Sequence, residues 1–144
     1  MVLKVINEAI KLVLKIYYRK TTGLKGENMT INGRIFVKNP KRIKIGKNCV
    51  FNDAVVLNGR GGINIGDNCH ISTGAKLHTG YLNKNREHRA GSINIGKNVW
   101  VASGAVISHD VVIGDNCNIY ANSVVTHNIP KNSNVAGIPA RIIK

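Results

Sequence analysis

An apolar residue returns at every sixth position along most of this chain. Ile95, Val101, Ile107, Ile113, Ile119 and Val125 fall six apart without interruption, and the same phase runs through Ile45, Phe51 and Leu57 and through Ile65, Ile71 and Leu77. Neither the 3.6-residue turn of a helix nor the two-residue alternation of a strand produces that spacing. A solenoid does, because each six-residue rung lays a short strand along one face and then turns a corner. The residue after the apolar one is small or polar in most rungs, as in Gly46, Asn52, Gly66 and Ser72. The fourth residue after it is small or β-branched, as in Cys49, Val55, Cys69, Ala75, Val99 and Ala105. Such residues suit a packed corner with little room.

The rungs group in threes, so three rungs make one triangular coil. Two steps depart from six. Between Leu57 and Ile65 the step is eight, a two-residue corner insertion. Between Leu77 and Ile95 it is eighteen, so twelve residues are extruded as a loop near 81–92 with the polar sequence YLNKNREHRAGS. One long loop on a regular scaffold is commonly functional. Upstream, residues 1–22 read as an amphipathic helix, with Lys4, Glu8, Lys11, Lys15 and Arg19 forming a charged stripe and Val2, Val5, Ile6, Ile10, Val13 and Ile16 among the apolar remainder. Residues 23–30 form a connection, 31–127 the solenoid domain, and 128–144 a tail that leaves through Pro130 and Pro139.

A chain of 144 residues makes one domain with a real core. Its net charge is +14, and residues 1–48 hold +10 of it, with twelve Lys and Arg against Glu8 and Glu27. That bias points to an anionic partner. Nucleic acid is disfavoured, since no aromatic platform or recognition motif accompanies the charge. Cys49, Cys69 and Cys117 share one small corner position and lack metal-type spacing, so core packing is expected, with no disulfide and no metal. Charged residues interrupt every apolar stretch and no secretory signal is evident, which fits a protein of the reducing cytoplasm. Two readings of the helix stay open: packing on the solenoid or a subunit interface, or peripheral contact of residues 1–20 with the inner face of an anionic membrane.

The stretch 93–144, with INIGKNVWVASGAVI, VVIGDNCNIYANSVVTHNIP and NVAGIPARIIK, resembles the hexapeptide-repeat acyltransferases, and most closely the galactoside, maltose and capsular-polysaccharide O-acetyltransferases. The resemblance covers about residues 31–144 and implies a left-handed parallel β-helix, an all-β solenoid assembled as a homotrimer, with acetyl-CoA as acyl donor. It also implies a donor groove involving Trp100, Ser103, Ala121, Thr126, Arg141 and Lys144, the two basic residues meeting the cofactor's phosphates. His127 stands where the family often carries Lys.

Acyl transfer to a hydroxyl needs a base, and histidine suits that role near neutral pH. By resemblance the base ends the rung that opens the loop, here Leu77-His78-Thr79-Gly80-Tyr81-Leu82, so Leu82 occupies its place. Two substitutes are close: His88 inside the loop, next to Glu87, and His78, bulky where most rungs are small or polar. Each also has a plain reading, as a solvated loop residue and as a structural residue of the outer face. His109-Asp110 is a third candidate, similar to the His-Asp element of sugar N-acyltransferases, and His70 reads as structural.

The leading expectation is an O-acetyltransferase acting on a sugar hydroxyl of a bacterial surface polysaccharide or its precursor. The alternatives are N-acetylation of a nucleotide-linked amino sugar, favoured by His109-Asp110, and a catalytically degenerate binding trimer, favoured by Leu82. A γ-type carbonic anhydrase would need three converging imidazoles, and the spacing of His78, His88 and His109 does not supply them.

Overall fold

The computed structural model describes residues 1–143. Its backbone is a helix, α1 (Val2–Thr22), followed by strands of two to four residues. These strands build a parallel β-solenoid of about five turns with three faces. The period of six becomes three buried columns. On the first face Ile31, Phe51, Ile71, Val101, Ile119 and Val135 stack in register. On the second, Val37, Leu57, Leu77, Ile107 and Val125 do so. The third stacks Ile45, Ile65, Ile95, Ile113 and Ile129. Every first-face column residue is fully buried. Removing such a side chain from water contributes about 1.5–3 kcal/mol each, which fixes the register because a one-residue slip would turn the column outward.

The corner residues behave as their size requires. Cys49, Cys69 and Cys117 are buried and unbridged, and each thiol donates to a carbonyl of the next coil, Gly66, Gly96 and Pro130 respectively, at 3.1 Å. The neighbouring Cys49 thiol, and then burial, push the Cys69 thiol well up. At the preceding position stands a feature the spacing did not predict. Asn28, Asn48, Asn68, Asn98, Asn116 and Asn132 all adopt left-handed φ between 51° and 60°. Asn tolerates that region better than most residues. Their amides bond from coil to coil in two runs, Asn28–Asn48–Asn68 and Asn98–Asn116–Asn132, at 2.9–3.2 Å.

Two boundaries differ from expectation. The parallel register continues beyond residue 127: Ile129 bridges Ile113, and Asn134–Gly137 pairs with Asn118–Ile119. A final coil shortened to sixteen residues hides these rungs from a period-six search. Ala140–Ile143 then turns back antiparallel on Asn134–Gly137 and closes the first face. The extruded segment is an antiparallel hairpin, Gly80–Leu82 against His88–Ala90. It lengthens one coil to a thirty-residue step, Ile71 to Val101, against eighteen for the next.

Candidate functional site

The hairpin is built by short-range chemistry. At its tip the Asn83 carboxamide oxygen accepts from the Asn85 and Glu87 amides at 2.9 and 3.0 Å, and Asn83 Nδ2 donates to Glu87 at 2.7 Å. Arg89 pairs with the same Glu87 carboxylate at 2.7 Å. At its neck Gly91 N–H donates to the Thr79 carbonyl at 2.9 Å. The fully buried Thr79 hydroxyl accepts from Gly61 N–H at 2.8 Å and donates to the Asn58 carbonyl. The Tyr81 ring lies flat on His109, centroids 3.8 Å apart and planes 15° apart. His109 Nδ1 in turn lies 3.2 Å from Asp110 Oδ2. His109 therefore supports the hairpin as one half of a ring stack.

A shallow cavity of about 310 Å³ lies at the hairpin's base, lined by Asn58, Arg60, Gly80, Tyr81, Leu82 and His88. His88 stands directly opposite Leu82 in the hairpin ladder. The imidazole thus sits one cross-strand step from the position where resemblance expects the base. Cross-strand partners bring their side chains to the same side of a ladder. His78 is paired in register with the cavity-lining Asn58 and is half-buried. Burial, and then the charges of Lys76 and Lys38, hold its imidazole below the ordinary histidine range. A neutral imidazole is the form that can accept a proton. A larger hollow of about 880 Å³ runs between α1 and the first coil, and its lining includes no His, Asp or Glu.

The expected donor residues are spread over two faces. Trp100 is outward on the first face, its indole N–H donating to the Ser72 hydroxyl at 3.0 Å and its ring meeting Tyr120 edge-on at 6.3 Å. Arg141 lies in the closing strand of the same sheet, opposite Ala136, with a guanidinium N–H donating to the Ala140 carbonyl at 2.9 Å. Ser103 and Ala121 are exposed at the corner that follows, joined by the Asn122 N–H to Ser103 carbonyl bond. Thr126 follows Val125 on the second face, three coils along from Asn58 in the column that holds His78. Lys144 lies outside the described residues. Among the described residues no group of three or more His, Cys, Asp or Glu could hold a metal ion.

Asn58, Arg60 and Tyr81 are the site residues that sequence reasoning missed. Arg60 falls in the two-residue corner insertion and Tyr81 at the start of the extruded segment, so both irregularities in the period were signals.

Comparison with known proteins agrees with the fold. Residues 92–127 match the family described as bacterial transferase hexapeptide (six repeats), and residues 42–77 match the hexapeptide repeat of succinyl-transferase. A maltose O-acetyltransferase from Clostridium difficile 630 is 30% identical in sequence; the alignment covers 85% of this chain and 68% of that one, with a TM-score of 0.80. The chain belongs to the bacterial hexapeptide-repeat transferases.

Within that family, a hexapeptide-repeat acetyltransferase from Vibrio cholerae, solved with acetyl coenzyme A, superposes with a TM-score of 0.85 at 29% identity over 95% of this chain and 76% of its own. The galactoside O-acetyltransferase of Escherichia coli K12 is 38% identical over 125 residues, 83% of this chain. Serine acetyltransferases of Staphylococcus aureus are 36% identical over 114 residues, 79% of this chain. The chain spans 62% of the length of the E. coli protein and 45% of the S. aureus ones.

Proposed function

We propose that this hexapeptide-repeat protein transfers acetyl from acetyl-CoA to a hydroxyl of a sugar belonging to a bacterial surface polysaccharide or its precursor. The observation that carries this reading is the cavity in which His88 faces Leu82, with His78 paired to the cavity-lining Asn58 and held below the ordinary histidine range by burial and by Lys76 and Lys38. The imidazole accepts the hydroxyl proton as the oxygen attacks the thioester carbonyl carbon. The C–S bond then breaks, and the same proton leaves with the coenzyme A thiolate. Backbone N–H groups beside the acceptor would stabilise the intermediate's oxygen. Donor binding falls to the Trp100, Ser103, Ala121, Thr126 and Arg141 region, where the Arg141 charge suits the donor's phosphates. Trp100 and Arg141 lie on a different face from the hairpin cavity, a split that favours a homotrimer in which one subunit's first face meets its neighbour's hairpin.

Calorimetric titration with acetyl-CoA, paired with a coenzyme A release assay on galactoside, maltose and serine acceptors, tests the reading. Binding is expected in the wild type and in His88→Ala, and is lost in Arg141→Ala. Sugar-dependent release is expected to fall about 10²–10⁴-fold when the base is removed. Absence of acetyl-CoA binding in the wild type would overturn the proposal. Release with serine alone would move the acceptor from a sugar to an amino acid. The N-acetyltransferase alternative rests on the His109–Asp110 pair, Nδ1 to Oδ2 at 3.2 Å, and release with an amino-sugar acceptor in place of the hydroxyl acceptors would favour it.

A further inference from the structure

A helix that packs onto a core turns its apolar side inward. Helix α1 turns only part of its apolar surface inward. Leu14 and Tyr18 are the side chains that reach the first coil, the buried Tyr18 hydroxyl accepting from Ile35 N–H at 2.8 Å. The half-buried Lys11 and Lys15 flank them. Meanwhile Val2, Val5, Ile6, Leu12, Val13 and Ile16 are 46–68% exposed. At 3.6 residues per turn these six fall within an arc of about 120°, centred opposite Tyr18. Lys4, Lys11 and Lys15 fall on Tyr18's side of the helix, whereas the exposed Arg19 stands about 20° from the edge of that arc and the exposed Lys20 within it.

The neighbouring surface has the same sign. Arg34, Lys38, Lys41 and Lys44 of the first coil are all exposed at the helix end of the solenoid. A second copy laid on the arc would bring two such cationic ends together, which their mutual repulsion opposes. An anionic lipid surface removes the apolar arc from water and meets Arg19 and Lys20 with opposite charge. Long Lys and Arg side chains can lie beside a buried apolar face while their charged ends stay at the headgroups. No helix among the described residues is long and apolar enough to cross a membrane. We infer that α1 lies along the surface of an anionic phospholipid bilayer with its outward apolar arc in the acyl boundary.

Vesicle sedimentation of the full chain tests this independently of any acetyl transfer. Phosphatidylcholine vesicles holding about 30 mol % phosphatidylglycerol are compared with pure phosphatidylcholine, at low and at high salt. The wild type is expected to sediment with the anionic vesicles, less so at high salt. Ile6→Asp/Val13→Asp is expected to lower the bound fraction about tenfold. Arg19→Gln/Lys20→Gln keeps the apolar side chains of the arc and should reduce binding to the level seen with the neutral lipid. Circular dichroism checks that each variant keeps its fold; if the Asp pair unfolds, the Gln variant carries the test. No sedimentation of the wild type with anionic vesicles overturns the inference. So does undiminished binding by the folded Asp variant. Light scattering that shows the Asp pair breaking up an oligomer, with no lipid binding in the wild type, would assign the arc to a second copy instead.

Discussion

At position 78 an imidazole occupies a place that the repeat otherwise keeps small or polar, and its surroundings set its protonation. Burial disfavours the charged ring, and Lys76 and Lys38 add repulsion. Both effects favour the neutral form, so His78 remains able to accept a proton at pH values where an ordinary histidine, near pKa 6.5, is half protonated. If His78 is the base, kcat/KM falls on the acid side at a pH below about 6.5. Lys76→Gln removes one repulsion, so protonation becomes easier and the acid limb moves to higher pH. A pH–rate profile of the two proteins checks this, and an unmoved limb assigns the proton transfer to His88. His88→Ala then removes most of the rate, whereas His78→Ala keeps it.

The hairpin owes its position to two rings and a turn. Stacked aromatic pairs contribute about 0.5–1.5 kcal/mol beyond the area they bury. His109→Ala is therefore expected to speed amide exchange at Tyr81, Leu82 and His88 and to raise the acceptor KM more than it lowers kcat. His109→Phe keeps a ring beneath Tyr81 and should restore both. Hydrogen exchange with steady-state kinetics checks the pair, and an inactive His109→Phe would make His109 the base after all. This element also marks where the sequence was legible and where it was not. The rungs could be read because an inward column at Phe51, Ile71 and Val101 demands apolar residues at fixed spacing. The hairpin could be located as an interruption, but Tyr81-Leu82 is too short an apolar run to announce a strand, and its turn depends on the Asn83 side chain. His78 and His88 were visible as exceptions to a pattern. The cavity around His88 was not, because Asn58 and Arg60 arrive from the preceding coil and only three dimensions join them to Leu82. The final coil escaped notice because its sixteen-residue step breaks the period at Pro130.

Across the whole molecule, coils touch through backbone as well as side chains. A Cβ added at Gly66 would lie 2.5 Å from the Gly96 carbonyl oxygen and 2.6 Å from its carbon, atoms that cannot swing aside. Gly66→Ala should cost about 1–3 kcal/mol by forcing adjacent coils apart, and thermal unfolding should show a Tm lower by several degrees. A wild-type Tm would mean that the stack yields more readily than its hydrogen bonds suggest. The hairpin has the opposite relation to the stack. Its two ends meet at the Gly91 to Thr79 bond, and the strands on either side, Lys76–His78 and Ile93–Ile95, keep their partners above and below. It is a detour whose entrance and exit are the same doorway. The hairpin residues 80–90 can therefore be exchanged or shortened without disturbing a single buried column, so recognition in this chain can be rewritten as a graft while the scaffold stays as it is.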